Sequence, residues 1–124
     1  MKNDERSIVL VVDDDHAVRH SLEFSLELEG LDVRACSSGA ELLSHPDLEM
    51  ADCILLDYKM PVMDGLEVLK HLSARAIFIP VILITSQATL SLSNRAKAAG
   101  VSHIVEKPLL DGALLHTIQS VLES

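Results

Sequence analysis

Aromatic residues are scarce in this chain of 124 residues, with no tryptophan, one tyrosine (Tyr58) and two phenylalanines (Phe24 and Phe78). The core must therefore be assembled from Leu, Ile, Val and Ala, and there is no row of rings on which bases could stack. Basic residues are also few, 10 against 19 acids, for a formal charge of −9. Nucleic-acid affinity rests largely on Lys and Arg neutralising phosphates, so direct binding to nucleic acid is not expected. Glycine (5) and proline (4) are too sparse for a disordered or fibrous chain. The two cysteines, Cys36 and Cys53, fall at opposite ends of their predicted strands, too far apart to be bridged. With a polar start at residues 1–6 that lacks the flanks of a signal peptide, and no run approaching a membrane span, they point to a reduced, cytoplasmic protein with no membrane partner.

What is present is a 48% hydrophobic chain of the length of one domain. Apolar runs rich in β-branched residues recur at 7–12, 31–36, 53–56, 80–84 and 102–106. The first and third lack alternation, as expected of strands covered on both faces. Helical spacing fills the intervals. Asp15 can cap a first helix with Val18, Leu22 and Leu26 on one side, ended by Gly30. Ser38 with Glu41, and Asp64 with Glu67, have capping-box spacing for the second and third helices. The fourth is expected from about 87 to 99, ended by Gly100, with a first half poor in strong helix formers. The fifth, from about 109, carries Leu110, Leu114, Ile118 and Leu122. Five alternating pairs imply an α/β fold, a parallel sheet between two helix layers.

In such open sheets ligands sit beyond the carboxyl ends of the strands. There the chain carries Asp13 and Asp14, then Asp57, then Thr85 and Ser86, then Glu106, Lys107 and Pro108. Three converging carboxylates repel one another, and a hard cation with oxygen ligands relieves the repulsion, so Mg²⁺ suits the site and Mn²⁺ can substitute. Asp57 is then a nucleophile toward phosphorus. The metal and Lys107 neutralise charge on the transferring group, and Thr85 donates a hydrogen bond to it. The histidines (His16, His20, His45, His71, His103 and His116) show no zinc-like clustering.

Val11-Val12-Asp13-Asp14-Asp15, then Leu55-Leu56-Asp57-Tyr58-Lys59-Met60-Pro61-Val62-Met63-Asp64-Gly65, Ile84-Thr85-Ser86, Ala98-Ala99-Gly100 and Glu106-Lys107-Pro108 together resemble the response-regulator receiver family of two-component signalling, over nearly the whole chain. The resemblance implies a doubly wound (βα)₅ fold with strand order 2-1-3-4-5 and a single receiver domain over 1–124; no output domain is expected within these residues, which fit either a stand-alone receiver or a piece of a longer regulator. It implies that Asp13, Asp14, Asp57 and the Lys59 backbone carbonyl hold Mg²⁺, that Asp57 accepts the phosphoryl group from a histidine kinase, and that Thr85 and Lys107 are the switch hydroxyl and the catalytic lysine. No conventional enzyme is implied, only self-phosphorylation and autodephosphorylation, the latter tuned by Lys59 and Gln87. The partners implied are an output domain or protein and a second copy meeting through helix 4, strand 5 and helix 5.

One position departs from the family pattern. Ile104 stands where many receivers carry an inward-rotating Tyr or Phe, so signalling is expected to rely more on rearrangement of the fourth helix. Two rivals compete with this reading. A phosphatase using Asp13 as nucleophile and Asp15 as acid leaves Asp57 unemployed. A phosphorylation-independent pseudo-receiver usually lacks the acceptor or the lysine, and both are present.

Overall fold

The computed structural model describes residues 6–109 and 112–123; Leu110 and all but Arg6 of the polar start lie outside the described residues. Strands β1 (Ile8–Val12), β2 (Asp32–Cys36), β3 (Cys53–Asp57), β4 (Val81–Thr85) and β5 (His103–Glu106) alternate with helices α1 (His16–Leu28), α2 (Gly39–Leu43), α3 (Gly65–Ala74), α4 (Leu90–Ala98) and α5 (Ala113–Leu122). A short 3₁₀ turn, Leu48–Met50, lies between α2 and β3. The strands form one parallel sheet in the order β2-β1-β3-β4-β5, so the family topology is present.

The two faces of the sheet build two cores. Leu10, Val12, Ile54, Leu56 and Leu83 pack with Leu42 of α2, Leu66, Val68 and Leu69 of α3, and Leu92 and Ala96 of α4. Val9, Val11, Leu55, Ile82 and Ile84 pack with Leu22 and Leu26 of α1 and Leu114, Ile118 and Val121 of α5. Truncating any of the Leu or Ile chains among them to Ala costs about 2–5 kcal/mol. Cys36 belongs to the first core and Cys53 to the second, on opposite faces, and both are free. Burial pushes both thiols up to about 12, which leaves them inert.

Local chemistry sets the helix ends. Asp15 Oδ1 accepts from the N–H groups of Ala17 and Val18 at 2.8 and 3.3 Å. Asp64 and Glu67 form the reciprocal capping box expected of them. The second box is incomplete. Ser38 caps the Glu41 N–H, but the Glu41 carboxylate turns to Ser37, whose N–H and hydroxyl offer two donors at 2.6 and 2.8 Å. Gly30 and Gly100, at φ +89° and +91°, take the left-handed conformation just past α1 and α4. The fourth helix starts at Leu90 rather than near 87, because Thr89 caps it through the Leu92 N–H while residues 87 and 88 make other bonds. The fifth starts at Ala113 rather than near 109, with Gly112, a poor helix former, at its N-cap.

Candidate functional site

The sheet register brings the expected residues to one edge. Val12 lies opposite Leu56, Asp57 opposite Ile84, and Thr85 opposite Glu106. Strands β3 and β4 each run one residue further than expected, so Asp57 and Thr85 are strand residues rather than loop residues. The ladder continues because the Tyr58 N–H donates to Ile84 O and the Lys107 N–H to Thr85 O, both at 2.8 Å. Asp57 and Thr85 are therefore held by backbone bonds on rigid elements.

Among the described residues, the buried polar or charged side chains are Asp13 (2% exposed), Asp57 (5%) and Thr85 (5%), all at this edge. Burying carboxylates is costly unless charge is balanced, so such a cluster marks a site rather than a scaffold. Carboxylate oxygens of Asp13, Asp14 and Asp57 lie within 4.8 Å of one another. Lys107 Nζ is 3.3 Å from Asp57 Oδ1 and 3.7 Å from Asp13 Oδ2. Burial first, and the charge of Asp13 second, push the Asp57 carboxyl up to about 6, against the pull of Lys107. For Lys107 burial works to lower the pKa, but attraction to Asp57 and Asp13 outweighs it, and the ammonium is held above its usual range. One ammonium facing three carboxylates leaves negative charge unbalanced, and a divalent cation with oxygen ligands fits that donor set.

The remaining side chains fall as follows. The Asp13 Oδ1 accepts from the Asp15 N–H at 2.9 Å, and the Asp15 carboxylate is committed to the α1 cap, which offers no support for its use as a phosphatase acid. The Thr85 hydroxyl is engaged by the following loop: it donates to Gln87 O at 3.3 Å and accepts from the Gln87 N–H at 3.2 Å. Lys59 and Gln87 are exposed. Ile104 is half-buried against the α3 and α4 side of the core.

Three residues support the site through contacts that were not anticipated. The Arg19 guanidinium donates to Asp13 O at 2.8 Å, and its other nitrogen lies 3.3 Å from His16 Nδ1. Its sequence signal is only a basic residue one helical turn after the Asp15 cap. A Cβ at Gly65 would stand 2.8 Å from Leu83 Cδ1 and 3.0 Å from Asp57 O. Glycine there lets α3 seat against β3, and its N–H donates to Tyr58 O at 2.8 Å. The Glu106 carboxylate accepts from the Ala88 N–H at 2.8 Å, a contact across 18 residues that no local pattern announces.

Residues 9–119 match the model of the response regulator receiver domain family. The transcriptional regulatory protein FixJ of Azorhizobium caulinodans is 39% identical over 114 residues, covering 92% of this chain and 54% of FixJ. The response regulator protein TmoT of Ectopseudomonas mendocina is 32% identical over 121 residues, covering 98% of this chain and 55% of TmoT. The chain thus spans about half the length of these relatives. Among solved structures, the chemotaxis protein CheY4 of Vibrio cholerae superposes with a TM-score of 0.88 at 30% identity, covering 94% of this chain and 98% of that one. A CheY-like receiver domain from Methanospirillum hungatei does so with a TM-score of 0.88 at 30% identity, covering 96% and 95%.

Proposed function

This chain belongs to the response-regulator receiver family, and from that premise we propose that it carries a two-component signal as a phosphoryl group on Asp57, supplied by a histidine kinase. The observation that supports the reading most strongly is the buried Asp57 with Lys107 Nζ at 3.3 Å and the carboxylates of Asp13 and Asp14 beside it.

An Asp57 oxygen attacks phosphorus while the bond from phosphorus to the donor imidazole nitrogen breaks. The electron pair stays on that nitrogen, which regains a proton, and the product is an acyl phosphate. Only the ionised carboxylate is nucleophilic, and with its pKa near 6 Asp57 is mostly ionised at neutral pH. Asp13, Asp14, Asp57 and the Lys59 carbonyl would hold Mg²⁺, or Mn²⁺ in its place, which when bound offsets negative charge on the phosphoryl oxygens. Lys107 moves from the Asp57 carboxylate to a phosphoryl oxygen. Thr85 gives up Gln87 O and donates to another. Hydrolysis of the phosphoaspartate returns the chain to its starting state, with Lys59 and Gln87 beside the site to tune the rate.

In this reading residues 1–124 act as one cytoplasmic receiver unit. Movement of Thr85 reshapes the surface of α4, β5 and α5, with Ile104 as the inner plug. That surface then engages an output domain, a separate protein or a second copy of the chain. Incubation with Mg²⁺ and a small acyl phosphate, followed by intact mass, tests the proposal: one phosphoryl adduct is expected on the wild type and none on Asp57→Asn. An adduct that survives the substitution overturns it.

A further inference from the structure

Thr85 is restrained at a distance as well as locally. Its hydroxyl closes a small ring with the backbone of Gln87. The next amide, the Ala88 N–H, donates to Glu106 Oε2 at 2.8 Å. Glu106 is the last residue of β5 and stands opposite Thr85 in the register, where the following Lys107 N–H donates to Thr85 O at 2.8 Å. Lys107 turns its ammonium to Asp57 and Asp13, so it does not compete for this carboxylate. A fixed strand end therefore holds residue 88 through a charge-assisted bond, and residue 88 holds the Gln87 carbonyl that occupies the Thr85 proton. Any movement of residues 86–88 that frees the Thr85 hydroxyl for a group on Asp57 is opposed by the Glu106 bond.

We propose that Glu106 is a positioning residue that latches the loop after β4 with the Thr85 hydroxyl engaged by Gln87, a bond made in the unphosphorylated state and given up when Thr85 donates instead to a group on Asp57. The inference rests on Asp57 being the phosphoryl acceptor. It gives the chain a restraint on switching that does not need an aromatic side chain at position 104.

Removing a bond present in only one of two states shifts their balance by the strength of that bond, about fivefold for a solvent-facing, charge-assisted one. The test uses the intact chain, Glu106→Ala and Glu106→Gln, with beryllofluoride as the phosphoryl analogue. Tyr58, the one tyrosine in a chain without tryptophan, follows Asp57 directly and reports binding by fluorescence. In Glu106→Ala we expect beryllofluoride to bind about fivefold tighter, Mg²⁺ affinity to stay within twofold, and the Ala88 amide to exchange faster in the unliganded protein. Glu106→Gln, which keeps an acceptor oxygen, should fall between Ala and wild type. Unchanged or weaker beryllofluoride affinity in Glu106→Ala, or an Ala88 amide whose exchange does not change, overturns the latch. A wild type that binds no beryllofluoride overturns the Asp57 reading itself.

Discussion

Asp57 is held in a place that suits its chemistry and costs the fold stability, and the cost can be measured. Its carboxyl titrates at about 6 rather than at the ordinary 3.8, because burial and the neighbouring Asp13 outweigh Lys107. A raised carboxyl pKa means the folded protein binds this proton more tightly than the unfolded chain. Stability from Asp57 is therefore fully present below pH 3.8 and is lost as pH rises from about 4 through 6. At 1.36 kcal/mol per pH unit, the shift amounts to about 3 kcal/mol at neutral pH. Asp57→Asn removes the charge and keeps the shape. In chelator at pH 7.5 the variant should be more stable than wild type by about 1–3 kcal/mol, or several degrees in Tm. The gap should close toward pH 4, where wild-type Asp57 is itself protonated. Mg²⁺ should narrow it from the other side by stabilising the wild type far more than the variant. Urea denaturation at these two pH values, with chelator or Mg²⁺, reads all three effects. An Asp57→Asn protein no more stable than wild type at pH 7.5 in chelator, or a gap that does not change with pH, would refute the reasoning.

Other outcomes follow from the same geometry. Lys107→Gln removes the cation nearest Asp57 and should move its titration in the metal-free protein above that of the wild type, as followed by carboxyl NMR. Gly65→Ala places a Cβ 2.8 Å from Leu83 Cδ1 and 3.0 Å from Asp57 O, and should cost about 1–3 kcal/mol in denaturant unfolding. A neutral result would mean that α3 is not seated against β3. With Ile104 in place of an aromatic ring, hydrogen exchange across residues 86–99 should change on adding beryllofluoride with Mg²⁺; equal protection in both states removes the α4 route.

The parts of the fold set by local and periodic chemistry were legible before the structure. The unbroken apolar run of β3 gave a strand buried along its length, and Asp15 and Asp64 start helices through bonds to their own first turns. The strand-end rule brought Asp13, Asp14, Asp57 and Lys107 together because it depends on topology, which the alternation of elements largely determines. What local patterns could not convey were bonds that depend on which loops become neighbours. The Arg19 contact with Asp13 O, the Glu106 contact with the Ala88 N–H and the hold of Gln87 on Thr85 are of this kind. The last two explain why α4 starts no earlier than Leu90 and why the Thr85 hydroxyl is bonded to the loop after β4. Glu41 shows the same limit at short range, since its spacing fitted a box with Ser38 but Ser37 offered two donors.

The central claim is that the phosphoryl group rests on Asp57 and not on one of the acids beside it. Phosphorylating the protein with an acyl phosphate in Mg²⁺, reducing the acyl phosphate with borohydride and sequencing the peptides by mass spectrometry locates it directly. The account predicts homoserine at position 57 and unmodified Asp13 and Asp14. Homoserine at either of those positions, with Asp57 intact, would contradict it.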